Sequence, residues 1–489
     1  MRIGFITLGC DKNTVDSERY LARLVGRGAE HVSDLAAAEV IVVNTCGFID
    51  RAKEESVDAI LEQVERKRRG EIDRVLVAGC MVQKYGRELA EEIPEVDGFL
   101  GLDELEKAPA AAAGGPAFPR FTDKPLATRL YDDAAPRILS NRRGYAYLKV
   151  GEGCDNPCTF CTIPQMRGRQ RSRSIASLVA EARAIEEQGV SELVLISQDT
   201  TRYGEDLGYG RSGLTRLVQS LVRETSFPWI RFLYAYPKTL DESVLRLMAD
   251  ERRFVPYVDV PLQHVSRPVL GAMRRGGDAA SYLSMIDRMR TIVPEIAIRT
   301  TFIVGFPTEG DAEFRQLCEF VRRAELDNVG VFTYSPEPES GSEPLGDPVP
   351  SDEKEERRDF LLSLQRPIAR KKSRALRGRV VEAIVEGPCA ETEQLLEGRL
   401  RSQAPEIDGV LGVVMDGEPA EDDVAELMAP QVPHRRHHPA HPEQCAQFLG
   451  MARGGGAGAD HLLQGDEIGV DRPDHVGNAR RICAAVKAP

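Results

Sequence analysis

The chain has 489 residues, 42% hydrophobic and 29% charged, the composition of a soluble globular protein too long for one ordinary core and suited to about two to four domains. Lysine and arginine number 64 against 77 acids, a net charge of −13 that argues against broad attraction to nucleic acid and favours a basic protein partner. No apolar run reaches the roughly 20 residues of a membrane helix, and Met1 to Leu8 enter a strand-like pattern too early for a signal peptide. The expectation is a cytoplasmic protein without membrane association, whose cysteines serve metal binding or catalysis and not a disulfide framework.

The first hundred residues alternate strand and helix. Arg2 to Leu8, Val40 to Val43 and Arg74 to Ala78 are apolar runs of strand length, while Val15 to Val25 and Ala52 to Val64 carry helical spacing. Repeated βα units predict an open parallel α/β sheet domain over residues 1–115. Ala108 to Pro119, rich in Ala, Gly and Pro, reads as a linker or exposed insertion.

Alternation resumes at Tyr145. Strands are predicted at Ala146 to Val150, Glu192 to Ser197, Ile230 to Tyr234, Tyr257 to Val260, Ile296 to Val304 and Asn328 to Phe332. Helical stretches lie between them, such as the one whose Leu178, Val179, Ala182 and Ile185 share a face and which Gly189 closes. Six βα units over residues 140–375 suit a partial TIM-like barrel, with active residues at the C-terminal strand ends. A charged helix is expected at Ser351 to Arg374. Val380 to Val385 and Leu411 to Val414 then look like strands of a small β domain, residues 376–430. Residues 431–489 lose periodicity, hold six of the eight histidines and read as a poorly ordered tail, from a frame change or from divergence.

Two cysteine triads carry the chemistry. Cys154, Cys158 and Cys161 form a CxxxCxxC loop directly after the first strand of the barrel-like region, with Phe160 before the last cysteine. Three thiolates leave a fourth position open, either on zinc with a distant fourth ligand or on a cubane of iron and sulfide. The other triad is dispersed: Cys10 in "FITLGCDKN", Cys46 in "VVNTCGFID" and Cys80 in "VLVAGCMVQ". Each follows an apolar strand, so a parallel sheet would bring all three to one edge. Three buried cysteines acting as small hydrophobes are the alternative.

The CxxxCxxC loop, Phe160 and the βα repeats resemble the radical SAM superfamily. The order of parts over residues 1 to about 425 resembles the methylthiotransferase family within it: a three-cysteine N-terminal domain, a radical SAM core that is a partial (β/α)6 barrel, and a small TRAM-type β domain. The resemblance implies two [4Fe-4S] clusters. One would sit on Cys154, Cys158 and Cys161 and present an open iron to S-adenosylmethionine, the source of both methyl group and radical. The other, on Cys10, Cys46 and Cys80, would donate or carry sulfur, and an electron donor is implied as a partner. No catalytic side chain is singled out, since the clusters carry the chemistry.

"LGCDKNTVDSE", "NTCGFIDRAKEES", "IPQMRGRQRSR" and "LEGRLRSQAPEIDG" are similar to the branch that methylthiolates the β-carbon of an aspartate in ribosomal protein S-twelve. Methylthiolation of tRNA adenosine is the alternative, and a non-enzymatic metal-binding ribosome assembly factor a further one. Acids outnumber bases between Glu382 and Glu426, which suits a basic ribosomal protein better than tRNA, or else marks a solvated surface.

Other positions are candidates by place alone. Gln198 and Asp259 follow barrel strands and are expected to contact the cofactor, with Asp199, Gln263 and His264 beside them; His264 equally suits a structural hydrogen bond. Gly305 in "FIVGFPTEG" allows close approach of an adenosyl group or an ordinary βα turn. Arg167, Arg169, Arg171 and Arg173 alternate after the cluster loop and either contact an acidic substrate group or the S-adenosylmethionine carboxylate, or belong to a solvated loop. His434, His437, His438 and His441 make a weak metal pattern, and Cys318, Cys389, Cys445 and Cys483 show no ligand grouping.

Overall fold

The alternation of the first hundred residues becomes a five-stranded sheet in the computed structural model, which describes residues 1–114, 120–131, 137–140, 144–389, 395–413 and 482–485. Strands β1 (Arg2–Thr7), β2 (Glu30–His31), β3 (Val40–Thr45), β4 (Arg74–Gly79) and β5 (Gly98–Leu100) run parallel in the order β2-β1-β3-β4-β5. β3 is buried throughout, as a strand covered on both faces must be. Its alternate residues serve two cores. Ile41 and Val43 pack with Val57, Ile60 and Val64 of α2 (Asp50–Arg68), whereas Val40 and Val42 pack with Tyr20 and Leu24 of α1 (Asp11–Val25). Leu89 of α3 (Cys80–Glu92) joins the first of these cores.

The Ala/Gly/Pro stretch expected to be a linker starts as a helix, α4 (Ala108–Ala113), with its proline in the first turn. Alanine is the strongest helix former and brings no bulk. Ala108, Ala111 and Ala112 therefore seat closely against Leu24 and Leu76 in the core. Residues 115–119 lie outside the described residues. Beyond them the chain still lies on the N-terminal sheet: the Phe121 ring meets Phe99 edge-on at 6.5 Å, and Gln83 Nε2 donates to the Pro125 carbonyl.

The barrel begins with β6 (Tyr145–Lys149), followed by a small antiparallel pair, β7 (Gly151–Glu152) and β8 (Arg171–Ser172), that frames the cysteine loop. β9 (Glu192–Ile196), β10 (Trp229–Phe232), β11 (Tyr257–Asp259), β12 (Ala297–Val304) and β13 (Asn328–Thr333) complete six parallel strands. They form two triplets, β6-β9-β10 and β11-β12-β13, joined at the parallel bridge Ile230–Phe254. All six expected strands are present. β10 stops short of Tyr234 because Tyr234 turns into the left-handed region at φ 65°, its N–H donating to Asp259 Oδ2 at 3.2 Å.

Helices α5 (Ile163–Arg167), α6 (Ile175–Glu186), α7 (Gly213–Glu224), α8 (Glu242–Asp250), α9 (Arg267–Ala272), α10 (Ala279–Ile292), α11 (Asp311–Ala324) and α12 (Ser351–Arg374) connect and cover them. α6 starts at Ser174, whose side chain accepts from Ser177 N, and buries Leu178, Ala182 and Ile185 as the spacing predicts. α12 has the expected bounds.

A four-stranded antiparallel sheet ends the described chain, in the order β16-β15-β14-β17, from β14 (Val380–Pro388), β15 (Leu396–Leu400), β16 (Leu411–Val413) and β17 (Ile482–Ala485). Of the expected tail, only β17 falls within the described residues, and its backbone pairs with β14. Four acids of the stretch expected to be solvated or partner-facing are engaged within the chain, while those at 391, 393 and 416–426 lie outside the described residues. Glu406 accepts from the hydroxyls of Tyr145 and Tyr147 at 2.7 and 2.9 Å, Asp408 from Tyr257 at 2.7 Å, and Glu382 from Arg252 at 2.9 Å. Glu386 accepts from Arg399, which also pairs with Glu192 of the barrel at 2.6 Å. This charge fastens the domain to the barrel.

Candidate metal centres

Cys46 follows β3 directly, Cys80 is the first residue after β4, and Cys10 lies just past β1. Since β1, β3 and β4 are neighbours, the three thiols emerge together at one sheet edge. Gly9 (φ 90°) makes the approach possible: a Cβ there would lie 2.6 Å from Cys46 Cβ and 3.0 Å from its Sγ. Asn13 ties the strand ends, donating from Nδ2 to the carbonyls of Leu8 (2.8 Å) and Thr45 (3.0 Å). Burial pushes the Cys46 thiol up, and the charges of Cys10 and Cys80 add to this. Cys80 is pushed up to about 11 by burial, with the Arg167 guanidinium opposing. Each thiol thus lies in the field of the others, and ligation by a cation would release their protons.

The second triad is held by one loop. Gly153 has φ 81°, and a Cβ on it would meet the Arg169 carbonyl at 2.1 Å, so the chain doubles back tightly just before Cys154. Cys154 N donates to the Gly168 carbonyl at 3.1 Å, and its sulfur accepts from Asn156 N at 3.5 Å. Burial pushes Cys154 up to about 11 and raises Cys161 further. Cys158 Sγ accepts from Arg275 Nη1 at 3.4 Å, and that guanidinium stacks on Tyr236, 4.4 Å from the ring centroid. Phe160 packs in a pocket of Val269, Phe306 and Tyr334.

The neighbours expected by place divide into two kinds. Gln198 Nε2 donates to Glu152 Oε1 at 2.8 Å, and its Oε1 is buried without a partner among the described residues. Asp199 accepts from Asn156 and Thr201, so it braces the cysteine loop, and burial raises its carboxyl. Asp259 has both oxygens engaged, by Arg299 at 2.9 Å and by Tyr234 N. Gln263, with φ 69°, donates its N–H to the Thr301 carbonyl at the barrel seam. His264 is fully buried, accepts from Ser266 N at Nδ1 and has Nε2 3.2 Å from Glu309, which is a structural role. Gly305 N donates to Glu309, and the Lys354 stem fills the space above it, the ordinary turn of the two alternatives. Cys318 lies in the barrel core, whereas Cys445 and the four expected tail histidines lie outside the described residues.

The alternating arginines also split. Arg169 is exposed, while Arg167 and Arg173 are buried: Arg173 pairs with Glu181 at 2.5 Å, and Arg167 reaches Glu152, Asp16 and Cys80. Neither expected role covers such internal use. Residues that local pattern did not mark complete the seam between the triads. Tyr234 donates its hydroxyl to Asp11 beside Cys10 and lies under the Lys12 ammonium, while Tyr236, two residues on, lies under the Arg275 guanidinium that donates to Cys158.

Among the described residues no three His, Cys, Asp or Glu side chains converge closely enough to chelate a single metal ion. Thiolates round a four-iron cubane stand further apart, and each site offers three free thiols. That donor set fits an iron–sulfur cluster with one open iron better than a four-ligand zinc site.

Residues 2–101 match the family described as Uncharacterized protein family UPF0004, and residues 148–321 match the Radical SAM superfamily. The chain is 46% identical over 429 residues to Ribosomal protein uS12 methylthiotransferase RimO of Solibacter usitatus (strain Ellin6076), covering 87% of this chain and 91% of that protein. To the protein of that name from Aquifex aeolicus (strain VF5) it is 42% identical over 432 residues, 88% and 95% of the two chains. The solved structure of the radical S-adenosylmethionine methyltransferase TsrM from Kitasatospora setae superposes with a TM-score of 0.50 at 16% identity, over 68% of this chain and 72% of that one, a likeness of fold. The protein is a radical SAM enzyme that uses S-adenosylmethionine and an iron–sulfur cluster. With such identity over nearly the whole length of its relatives, the chain belongs to the RimO family of methylthiotransferases.

Proposed function

We propose that this enzyme methylthiolates the β-carbon of an aspartate in the small-subunit ribosomal protein uS12, with S-adenosylmethionine as methyl and radical source and two [4Fe-4S] clusters. One cluster is held by Cys154, Cys158 and Cys161, and an auxiliary one by Cys10, Cys46 and Cys80. The substrate follows from membership of the RimO family. The observation that carries the two-cluster reading is the shared seam: the Cys161–Arg167 turn links the two cysteine sites directly, and the Tyr234–Tyr236 turn reaches Asp11 beside one and Arg275 beside the other. A radical made at one site and sulfur held at the other can act on one carbon only if both face it at short range.

Bound S-adenosylmethionine would supply the hydrogen-abstracting radical and the methyl group. The chain's own residues supply placement. Asn156 and Asp199 brace the cysteine loop, and Arg275 donates to Cys158. Gln198 Oε1 is an acceptor suited to the amino group of the cofactor, whereas Asp259 acts through Tyr234 and Arg299. An external one-electron donor is required. Among the described residues no helix is long and apolar enough to cross a membrane, which suits work on a ribosomal protein in the cytoplasm.

Glu382, Glu406 and Asp408 do not weigh between uS12 and tRNA adenosine, because they are spent on the barrel. The test is the mass of uS12 from cells with and without the enzyme. A mass rise by one methylthio group in place of hydrogen, only when the enzyme is present, is expected. Unmodified uS12 together with altered tRNA nucleosides would refute the assignment.

A further inference from the structure

We propose that Arg167 is a positioning residue for the auxiliary cluster, donating a hydrogen bond to the Cys80 thiolate and so tying that cluster to the loop that carries the other one. This rests on the reading that Cys10, Cys46 and Cys80 hold a cluster. α5 begins two residues after Cys161 and ends on Arg167, so the last ligand of one site and a donor to the other share one short turn. Arg167 Nε lies 3.2 Å from Cys80 Sγ. Nη1 donates to Glu152 Oε1 at 2.9 Å, and Nη2 to Asn13 Oδ1 and Asp16 Oδ2 at 2.7 and 3.1 Å.

All three nitrogens are thereby engaged, and the planar fork cannot turn. Lys149 completes the group, donating to Asp16 at 2.5 Å and Glu152 at 2.6 Å. Two cations face two carboxylates in a buried, internally neutral set, so Arg167 keeps its charge without solvent. Asn13 belongs to the same network and also ties the strand ends beside Cys10 and Cys46. Fixing Arg167 therefore fixes the register of all three auxiliary ligands against the radical SAM core. A hydrogen bond to a ligating sulfur draws electron density from the cluster and favours its reduced form. Arg167→Lys keeps the formal charge but lacks the fork that serves Asn13, Asp16, Glu152 and Cys80 at once.

The test uses the full chain with Cys154, Cys158 and Cys161 all replaced by alanine, reconstituted anaerobically with iron and sulfide and labelled with guanidino-15N arginine. Arg275, among the described residues the other guanidinium donating to a triad cysteine, then faces no cluster. Pulsed electron paramagnetic resonance of the reduced cluster is expected to show a 15N coupling. Adding R167K should abolish it and, in the protein that stays iron-loaded, shift the midpoint potential to a more negative value, which a purely structural ion network would not do. The coupling is read without any change at Arg167, so the test stands even if R167K loses iron. Absence of the coupling in the iron-loaded protein, or an unmoved potential in iron-loaded R167K, overturns the inference. Protein with Arg167 intact that takes up no iron overturns the cluster reading on which it rests.

Discussion

Cys154, Cys158 and Cys161 lie in one loop after β7, whereas Cys10, Cys46 and Cys80 leave three strands that meet only because the sheet order places β1, β3 and β4 side by side. The first site is made by local turns and loop hydrogen bonds, such as Cys154 N to Gly168 and Asn156 to Asp199. The second exists only once a sheet core of Val42, Val43, Val75 and Val77 has formed. A contiguous triad thus tolerates distant change, while a dispersed one inherits every weakness of its domain. The loop that builds the first also braces the second, through Arg167.

The sharpest break in that comparison is Cys158→Ala. It should abolish formation of 5′-deoxyadenosine from S-adenosylmethionine and reductant, and with it all modification of uS12, while iron falls by about four of about eight atoms. Cys80→Ala should lower iron by the same amount and abolish methylthiolation yet leave 5′-deoxyadenosine formation in place. If both variants lost cleavage equally, the two triads would not have separate roles.

Acid should act on the seam between the domains. Burial would raise the Glu181 carboxyl, but Arg173, Arg19 and Arg137 outweigh it and hold it from 4.5 down to about 2. Its folded value is depressed, so its contribution is full above pH 4.5 and is lost as pH falls toward 2. That loss amounts to up to about 3 kcal/mol. Urea unfolding between pH 5 and 2.5 should show the decline, and Glu181→Gln should flatten that part of the slope.

The smallest effect separates the triads most finely. Gly9→Ala forces a side chain into the left-handed region and against Cys46, at a cost of about 1–2 kcal/mol. Partial loss of auxiliary iron with normal 5′-deoxyadenosine formation is expected. Equal loss at both sites would show that the sheet edge also supports the contiguous loop.

Much of the scaffold is legible from local pattern. The six barrel strands, the helix Ser351 to Arg374 and the strand-end place of each N-terminal cysteine follow from hydrophobic runs of strand and helix length. The alanine-rich stretch misleads because low complexity resembles a linker, whereas α4 uses its small methyl groups to pack. The acids from Glu382 to Asp408 mislead because net charge says nothing about direction: Glu382, Glu406 and Asp408 accept from barrel side chains, and Glu386 holds Arg399, which pairs with Glu192 of the barrel. Arg167 and Arg173 were visible as a basic run, but their partners Asp16, Glu152 and Glu181 lie on other elements and carry no local mark.

By itself the sequence determined most element types, the parallel topology and the strand-end or loop place of the six triad cysteines, since strand and helix periods are local and a cysteine at a strand end needs no distant information. Only the tertiary structure decided which charges face one another. It placed Arg167 between Cys80 and the Asp16–Glu152–Lys149 group, and Tyr234 between Asp11 and Asp259. The reason is physical: a buried ion must find its counter-ion wherever the chain brings one close, and that distance in space has no fixed spacing in sequence.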